Sequence, residues 1–201
     1  MIIVGAGIIG ASFAYHANKI GVKEITVLSS ELPGNKNQAT TNTWGWINGY
    51  ARNDKSYADF RLANLNYWPK IINEISNLKS LSKGAFFWDL DNGELHQTVI
   101  QHQNWGQSVK ISTTSELEEE LPNILNKPIE AGFGMNDLAI DAVNVTKELF
   151  KASGSKIIKT NVREIVCDNN NVIGVKTDKE LYHGEEVIIT AGLGAPKLLS
   201  T

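Results

Sequence analysis

Apolar residues first gather in a short unbroken run, Ile2-Ile3-Val4, whose β-branched composition predicts a strand buried on both faces. Gly5-Ala6-Gly7-Ile8-Ile9-Gly10 turns out of that run. Ala11, Ala14 and Ala17 then follow with the spacing of a closely packed helix over roughly 8 to 20, ended by Gly21. Ile25-Thr26-Val27-Leu28 is a second apolar run, so the chain opens as the β-α-β start of a parallel sheet. From Ser29 to Asp54 no period is sustained, and a long loop is predicted, with one short helix begun at Thr40 and Thr41.

Helical spacing returns over about 56 to 78, where Phe60, Ala63, Leu65, Trp68, Ile71 and Ile75 supply an apolar face. Between 84 and 112, pieces such as Ala85-Phe86-Phe87-Trp88 and Thr98-Val99-Ile100 read as antiparallel strands separated by the turn Asp91-Asn92-Gly93. A short acidic helix, 115 to 121, follows, with Ser115 or Thr114 as its cap and Pro122 closing it. Beyond it come a strand over 129 to 135, a helix over 141 to 152, a brief strand at 156 to 158, a hairpin turning at Asn169-Asn170-Asn171 and a final buried strand at 186 to 190. The order is α/β, then a mostly β insertion, then α/β again.

Charge narrows the functional classes. Nineteen basic residues stand against 22 acidic ones with neither sign gathered into a run, which argues against a nucleic-acid surface. One cysteine, Cys167, cannot form an internal disulfide, and there is no basic leader or long apolar run, so a cytoplasmic protein without a membrane segment is expected. No metal site is expected either, because no zinc, calcium or metalloprotease spacing occurs.

Gly5, Gly7 and Gly10 form GxGxxG between a strand and a helix. The first glycine permits the turn, the second lets backbone approach a pyrophosphate and the third lets helix and strand pack closely. The exposed amides of Ile8 and Ile9 at the helix start complete an anion cradle. The acidic ribose ligand expected about 20 residues further on is replaced by Ser29-Ser30, with Glu31 next and able to reach back.

These residues, followed by Ala11-Ser12-Phe13-Ala14-Tyr15, resemble the opening of the FAD-dependent D-amino-acid oxidase, glycine oxidase and sarcosine oxidase superfamily. Gln38-Ala39-Thr40-Thr41-Asn42-Thr43-Trp44-Gly45-Trp46-Ile47-Asn48 resembles the loop and short helix that cross the flavin there, and the likeness resumes at Ile140-Asp141, Val162, Gly174-Val175 and Ala191-Gly192. It implies an FAD-binding Rossmann-like, glutathione-reductase-like α/β domain with an inserted mixed α+β substrate domain. The expected division is 1–82 and 136–201 for the FAD domain and 83–135 for part of the substrate domain, the rest of the enzyme lying beyond Thr201.

The resemblance also implies site roles. Thr40, Thr41 and Asn42 would meet FAD phosphate or ribityl groups, Trp44 to Ile47 with Gly45 and Trp46 would pass near the isoalloxazine, Val162 would lie by adenine, and Ala191 and Gly192 by the pyrophosphate. Where some relatives carry a flavin-linked histidine after Trp, this chain has Gly45, so noncovalent FAD is expected.

The implied reaction is hydride transfer to flavin from the carbon of a small amine or amino acid, giving an imine that water hydrolyses. Substrate-pocket candidates are Trp44, Trp46, Arg52, His96 and His102; the histidines are equally explained by an exposed strand, and no catalytic residue is assigned. Two other readings remain open: a noncatalytic FAD-binding or partner-assembling module completed by another chain or by a second copy, and a nicotinamide-dependent reductase.

Overall fold

The computed structural model describes residues 1–50, 54–88 and 93–200. In chain order its elements are β1 (Ile2–Val4), α1 (Ile8–Lys19), β2 (Thr26–Ser29), a 3₁₀ turn (Ala39–Asn42), β3 (Trp46–Ile47), α2 (Lys55–Glu74), β4 (Ser82–Phe87), α3 (Glu94–Asn104) and β5 (Val109–Thr113). There follow α4 (Thr114–Glu120), β6 (Glu130–Ala139), α5 (Ala142–Ser153), β7 (Lys156–Lys159), β8 (Val162–Asp168), β9 (Asn171–Thr177), β10 (Leu181–His183), β11 (Val187–Ile189), a 3₁₀ turn (Gly192–Gly194) and α6 (Ala195–Leu199). They divide into two compact units, Met1–Trp44 with Asp141–Thr201, and Gly45–Ile140.

The first unit is built on a parallel sheet ordered β11-β1-β2-β7. β1 is covered on both faces, by α1 and by the core cluster that takes Ile2 and Val4, which is why Ile2, Ile3 and Val4 are all buried and why the sequence shows no polar alternation there. Helices α1 and α5 pack together, and the alanines at 11, 14 and 17 are the buried positions of α1. A meander ordered β10-β9-β8 completes the unit. Its β8–β9 turn places Asn169 and Asn170 at φ 47° and 66°, a left-handed conformation that asparagine tolerates. Ile2, Val4, Leu28, Val175 and Leu198 form one core cluster, with Val162 and Ala191 packed on it.

Asp141 starts α5: its carboxylate accepts the amides of Val143 and Asn144, each at 3.0 Å. Replacing Asp141 with alanine should cost about 1 kcal/mol of unfolding free energy, read from urea melts as a shift in midpoint without a change in slope; an unchanged midpoint would show the cap to be dispensable.

The second unit centres on an antiparallel sheet ordered β3-β6-β4, with β5 also paired to β6. Its core contains Phe87, Val99 and Val109, with Trp46, Tyr50, Leu95 and Ile111 packed on them. Between the pairs Lys83↔Leu138 and Ala85↔Gly134, β4 advances two residues while β6 advances four, so β6 bulges over 135–137.

Several expectations need correction here. Residues 98 to 100 are not a strand but the middle of α3. Leu95, Val99 and His102 fall at helical spacing and face inward, outweighing the β propensity of Thr98-Val99-Ile100. Part of the turn assigned to Asp91-Asn92-Gly93 lies outside the described residues; Gly93 itself precedes α3 at φ 84°. The cap of α4 is Thr113 rather than Ser115 or Thr114, in a capping box with Glu116, whose Oε2 accepts the Thr113 amide at 2.9 Å. The units change at 44/45 and 140/141, whereas the sequence suggested 82/83 and 135/136. β3 pairs with β6 and α2 packs on β6, which draws residues 45–82 into the second unit.

Candidate functional site

In the first unit, β1, its turn and α1 form a narrow cradle. Gly5 has φ 117°, and a Cβ there would stand 2.4 Å from the Thr190 carbonyl oxygen. A Cβ on Gly10 would lie 2.2 Å from the Gly5 carbonyl oxygen and 2.8 Å from Thr190 Oγ1. Backbone therefore touches backbone on both sides of the turn. Thr190, unremarked in the sequence, is the clasp: its amide donates to Val4 O at 2.8 Å, and its hydroxyl lies 3.1 Å from both Val4 O and Gly5 O. The signal for it was only its position, at the end of an apolar strand and just before Ala191-Gly192.

Gly7 precedes α1 in extended backbone, at φ −85°, and the first turn of the helix carries no acidic side chain. The helix dipole at this end is thus unneutralised by the helix itself, which suits an anion. Thr40 is buried, and its Oγ1 accepts the Ile8 amide at 3.1 Å; Ile9 is exposed beside it. Thr41 and Asn42 do something different. The Thr41 hydroxyl donates to Asn35 O at 2.8 Å, and Asn42 Nδ2 donates to the carbonyls of Lys36 and Gln38, each at 2.9 Å, so both side chains brace their own loop.

At the end of β2, Ser29 is buried and Ser30 exposed. Glu31 is half-buried, held by Lys159 Nζ and Asn35 Nδ2, each 3.0 Å from its Oε2. Val162 opens β8 against the core cluster, and Gly192 lies at φ 56° with open space where a side chain would project. Trp44 is 89% exposed.

The cradle fits a dinucleotide. Gly5 and Gly10 let β1 and α1 close backbone to backbone, and with the Ile8 amide taken by Thr40, Gly7 and the Ile9 amide would hold the anion at the helix start. Family comparison agrees: residues 1–201 match the model of the FAD dependent oxidoreductase family. The chain belongs to that family.

This FAD-dependent oxidoreductase chain is 27% identical over 217 aligned residues to an uncharacterized oxidoreductase of Bacillus subtilis (strain 168), YurR, covering 98% of the chain and 56% of the relative. It superposes on glycine oxidase from Bacillus cereus ATCC 14579 with TM-score 0.85 at 21% identity, covering 99% of the chain and 56% of that structure. L-proline dehydrogenase from P. horikoshii gives TM-score 0.86 at 23% identity, with 99% and 54% covered. The fold is therefore the α/β, Rossmann-like fold of this family, and the chain spans about half the length of the curated relatives it matches.

A second polar cluster lies within the second unit. Asp137 sits in the β6 bulge, 3% exposed, folded back over Gly134. Trp46 Nε1 donates to its Oδ2 at 3.1 Å, and the Gly49 amide approaches Oδ1 at 3.4 Å. Burial pushes this carboxyl up to about 6, against the pull of the Trp46 indole, the Gly49 amide and the Arg61 guanidinium, which all favour the charged form. Gln107 Nε2 donates to Gly49 O at 2.7 Å, which leaves its Oε1 to accept from His102 Nδ1, also at 2.7 Å. Asp137, Gly49, Gln107 and His102 border a cavity of about 20 Å³ lined also by Tyr50, Ser108 and Asn136.

His102 is accordingly on a helix and 1% exposed, not on an exposed strand; its Nε2 has no partner among the described residues. His96 is exposed on the same helix, 2.7 Å from Glu130 Oε2. Arg52 lies outside the described residues. Asp137, Gln107 and Arg61 were missed because a lone Asp in a strand, a single Gln in a loop and a single Arg on a helix carry no motif. Among the described residues no cluster of His, Cys, Asp or Glu could hold a metal ion, and no helix is long and apolar enough to cross a membrane.

Proposed function

We propose that the whole protein is a flavoenzyme that oxidises a small amine or amino acid, with FAD held noncovalently. The observation that carries this reading is the family match over residues 1–201, joined to a glycine turn in which Gly5 and Gly10 let β1 and α1 close backbone to backbone and Gly7 leaves the start of the helix open to a diphosphate. The kinds of substrate named for similar structures, glycine and L-proline, support the substrate class. FAD supplies a two-electron acceptor for the hydride leaving the carbon that bears the amine.

The chain's own residues have separable tasks. Gly7 and the Ile9 amide bind the diphosphate, with Gly5 and Gly10 closing the turn behind it; Thr40 takes the Ile8 amide and so orients the first turn of α1; Glu31, with Ser29 and Ser30 nearby, is the ribose-side group; Val162, Ala191 and Gly192 line the adenine and pyrophosphate side. Residues 45–140 form the substrate unit inserted into the FAD unit. Trp46 and its neighbours in the crossing segment lie beside the flavin ring, excluding water and orienting the substrate carbon. The partners in this reading are the small amine or amino-acid substrate and a complementary chain or a second copy of this one.

The test is to denature the purified full-length protein and identify the released cofactor, then to add amines and amino acids to the native protein without oxygen. Release of FAD and bleaching of its visible band by a small amine are expected. Release of a nicotinamide nucleotide instead would overturn the reading, and FAD that no amine or amino acid bleaches would reduce it to cofactor binding without this oxidation.

A further inference from the structure

β3 is only two residues long, paired through Trp46↔Ala139 and Ile47↔Leu138. Beyond it the chain runs on through Asn48, Gly49 and Tyr50, and these residues are held by side chains instead of by a strand partner. Arg61, from α2, donates through Nε to Asn48 O at 3.2 Å and through its terminal nitrogen to Asn48 Oδ1. Asp137, from the β6 bulge, takes the Gly49 amide and the Trp46 indole on separate oxygens. Gln107, after α3, donates to Gly49 O and is itself held by buried His102. Three consecutive backbone groups of one short segment are thus fastened by side chains from three different parts of the unit.

Two features show that this arrangement is built for geometry. A buried carboxyl is unfavourable for folding, and an apolar residue would serve the core at least as well. Packing has also been arranged around it: a Cβ on Gly134 would stand 2.7 Å from the Asp137 carboxyl, and one on Gly49 would stand 3.2 Å from the Gln107 amide. Tyr50 then stacks on Phe87 with ring centroids 4.2 Å apart, anchoring the far end of the segment.

We infer that Asp137, Gln107 and Arg61 are positioning residues that set the Trp46–Tyr50 segment for catalysis. The inference rests on the proposed function, which puts the start of this segment beside the flavin ring, and it assigns the setting of that segment to three side chains that need not touch flavin or substrate. An ionised Asp137 accepts two donors on two oxygens. Asparagine keeps the shape but turns an N–H₂ toward one of those donors, so one of the two bonds is lost.

The experiment uses full-length FAD-loaded protein, with Asp137→Asn and, as an independent perturbation that keeps the carboxyl, Gly134→Ala. Retention of FAD and amine-driven bleaching by the wild type are checked first; their absence sinks the proposed function, and this inference with it, before any variant is compared. Exchange of the Gly49 amide and the Trp46 indole hydrogen, followed by NMR without substrate, should quicken about tenfold or more in both variants. The rate constant for flavin reduction should fall about tenfold while KM for the amine moves less than about threefold. Unchanged exchange would overturn the clamp itself. Faster exchange with an unaltered reduction rate would overturn its catalytic role, leaving a purely local brace.

Discussion

Replacing Gly10 with alanine is expected to strip the protein of FAD. The new methyl carbon would lie 2.2 Å from the Gly5 carbonyl oxygen and 2.8 Å from Thr190 Oγ1, and the first of these is backbone that no rotamer change can move. α1 must then withdraw from β1, taking its first amides away from the diphosphate. Affinity should fall by about 100-fold or more, roughly 3 kcal/mol, with a stability loss of about 1–3 kcal/mol from overpacking. Gly5→Ala should behave alike, since its φ of 117° adds backbone strain to a 2.4 Å approach to Thr190 O.

Gly7→Ala separates folding from binding. Its φ of −85° suits any residue, and the added carbon meets only Thr40 Oγ1, at 3.2 Å. It should melt close to wild type yet bind FAD about tenfold more weakly, because the methyl occupies the diphosphate's approach. Equilibrium titration of apoprotein with FAD, alongside thermal melts, measures both. Wild-type affinity in Gly7→Ala would mean that the diphosphate lies away from Gly7.

The other large effect is a pH-dependent difference in stability between wild type and Asp137→Asn. The folded carboxyl titrates at about 6 and the unfolded one near 3.8. A raised folded value means that the native state holds the proton more tightly. The contribution of this group is therefore fully present below about pH 4 and is lost as pH rises through about 6. Its full size is about 3 kcal/mol, from roughly 2 units at 1.36 kcal/mol each. Between pH 7.5 and pH 5 the wild type should gain about 1 kcal/mol relative to Asp137→Asn, which has no such proton to bind.

The difference is the informative quantity, because Asp54, Glu116 and Asp178 titrate below the usual carboxylate range and pull the other way in both proteins. Asp54 is lowered first by the Ser56 hydroxyl, Glu116 by Lys110 and Asp178 by Arg163. Urea melts across this pH range that show a constant gap between the two proteins would disprove the raised value.

Local sequence determined a good deal by itself. The run Ile2-Ile3-Val4, the glycine turn and the alanine spacing specify a buried strand, a tight bend and a close helix, because each rests on the sterics of neighbouring residues. The same holds for the Asn169-Asn170 turn and for α5, where the needed groups lie within a few positions of one another. Where several local signals competed, tertiary burial chose: Thr98-Val99-Ile100 favours a strand in isolation, yet Val99 and His102 are buried only if 94–104 is a helix.

What only the tertiary structure decided was the pairing of distant residues. Thr190 clasps the turn at Gly5, 185 positions away in sequence, and Asp137 meets Trp46 across 91. Lys159 meets Glu31 across 128. No periodicity or motif records such contacts, since a hydrogen bond between remote side chains leaves no spacing in the chain. The domain edges followed the same logic: residues 45–82 carry helical and strand signals that fit either unit, and it is the pairing of β3 with β6 that assigns them. Chemistry bound to a contiguous turn was legible in the sequence, and chemistry assembled from separate elements became legible only once the fold had brought those elements together.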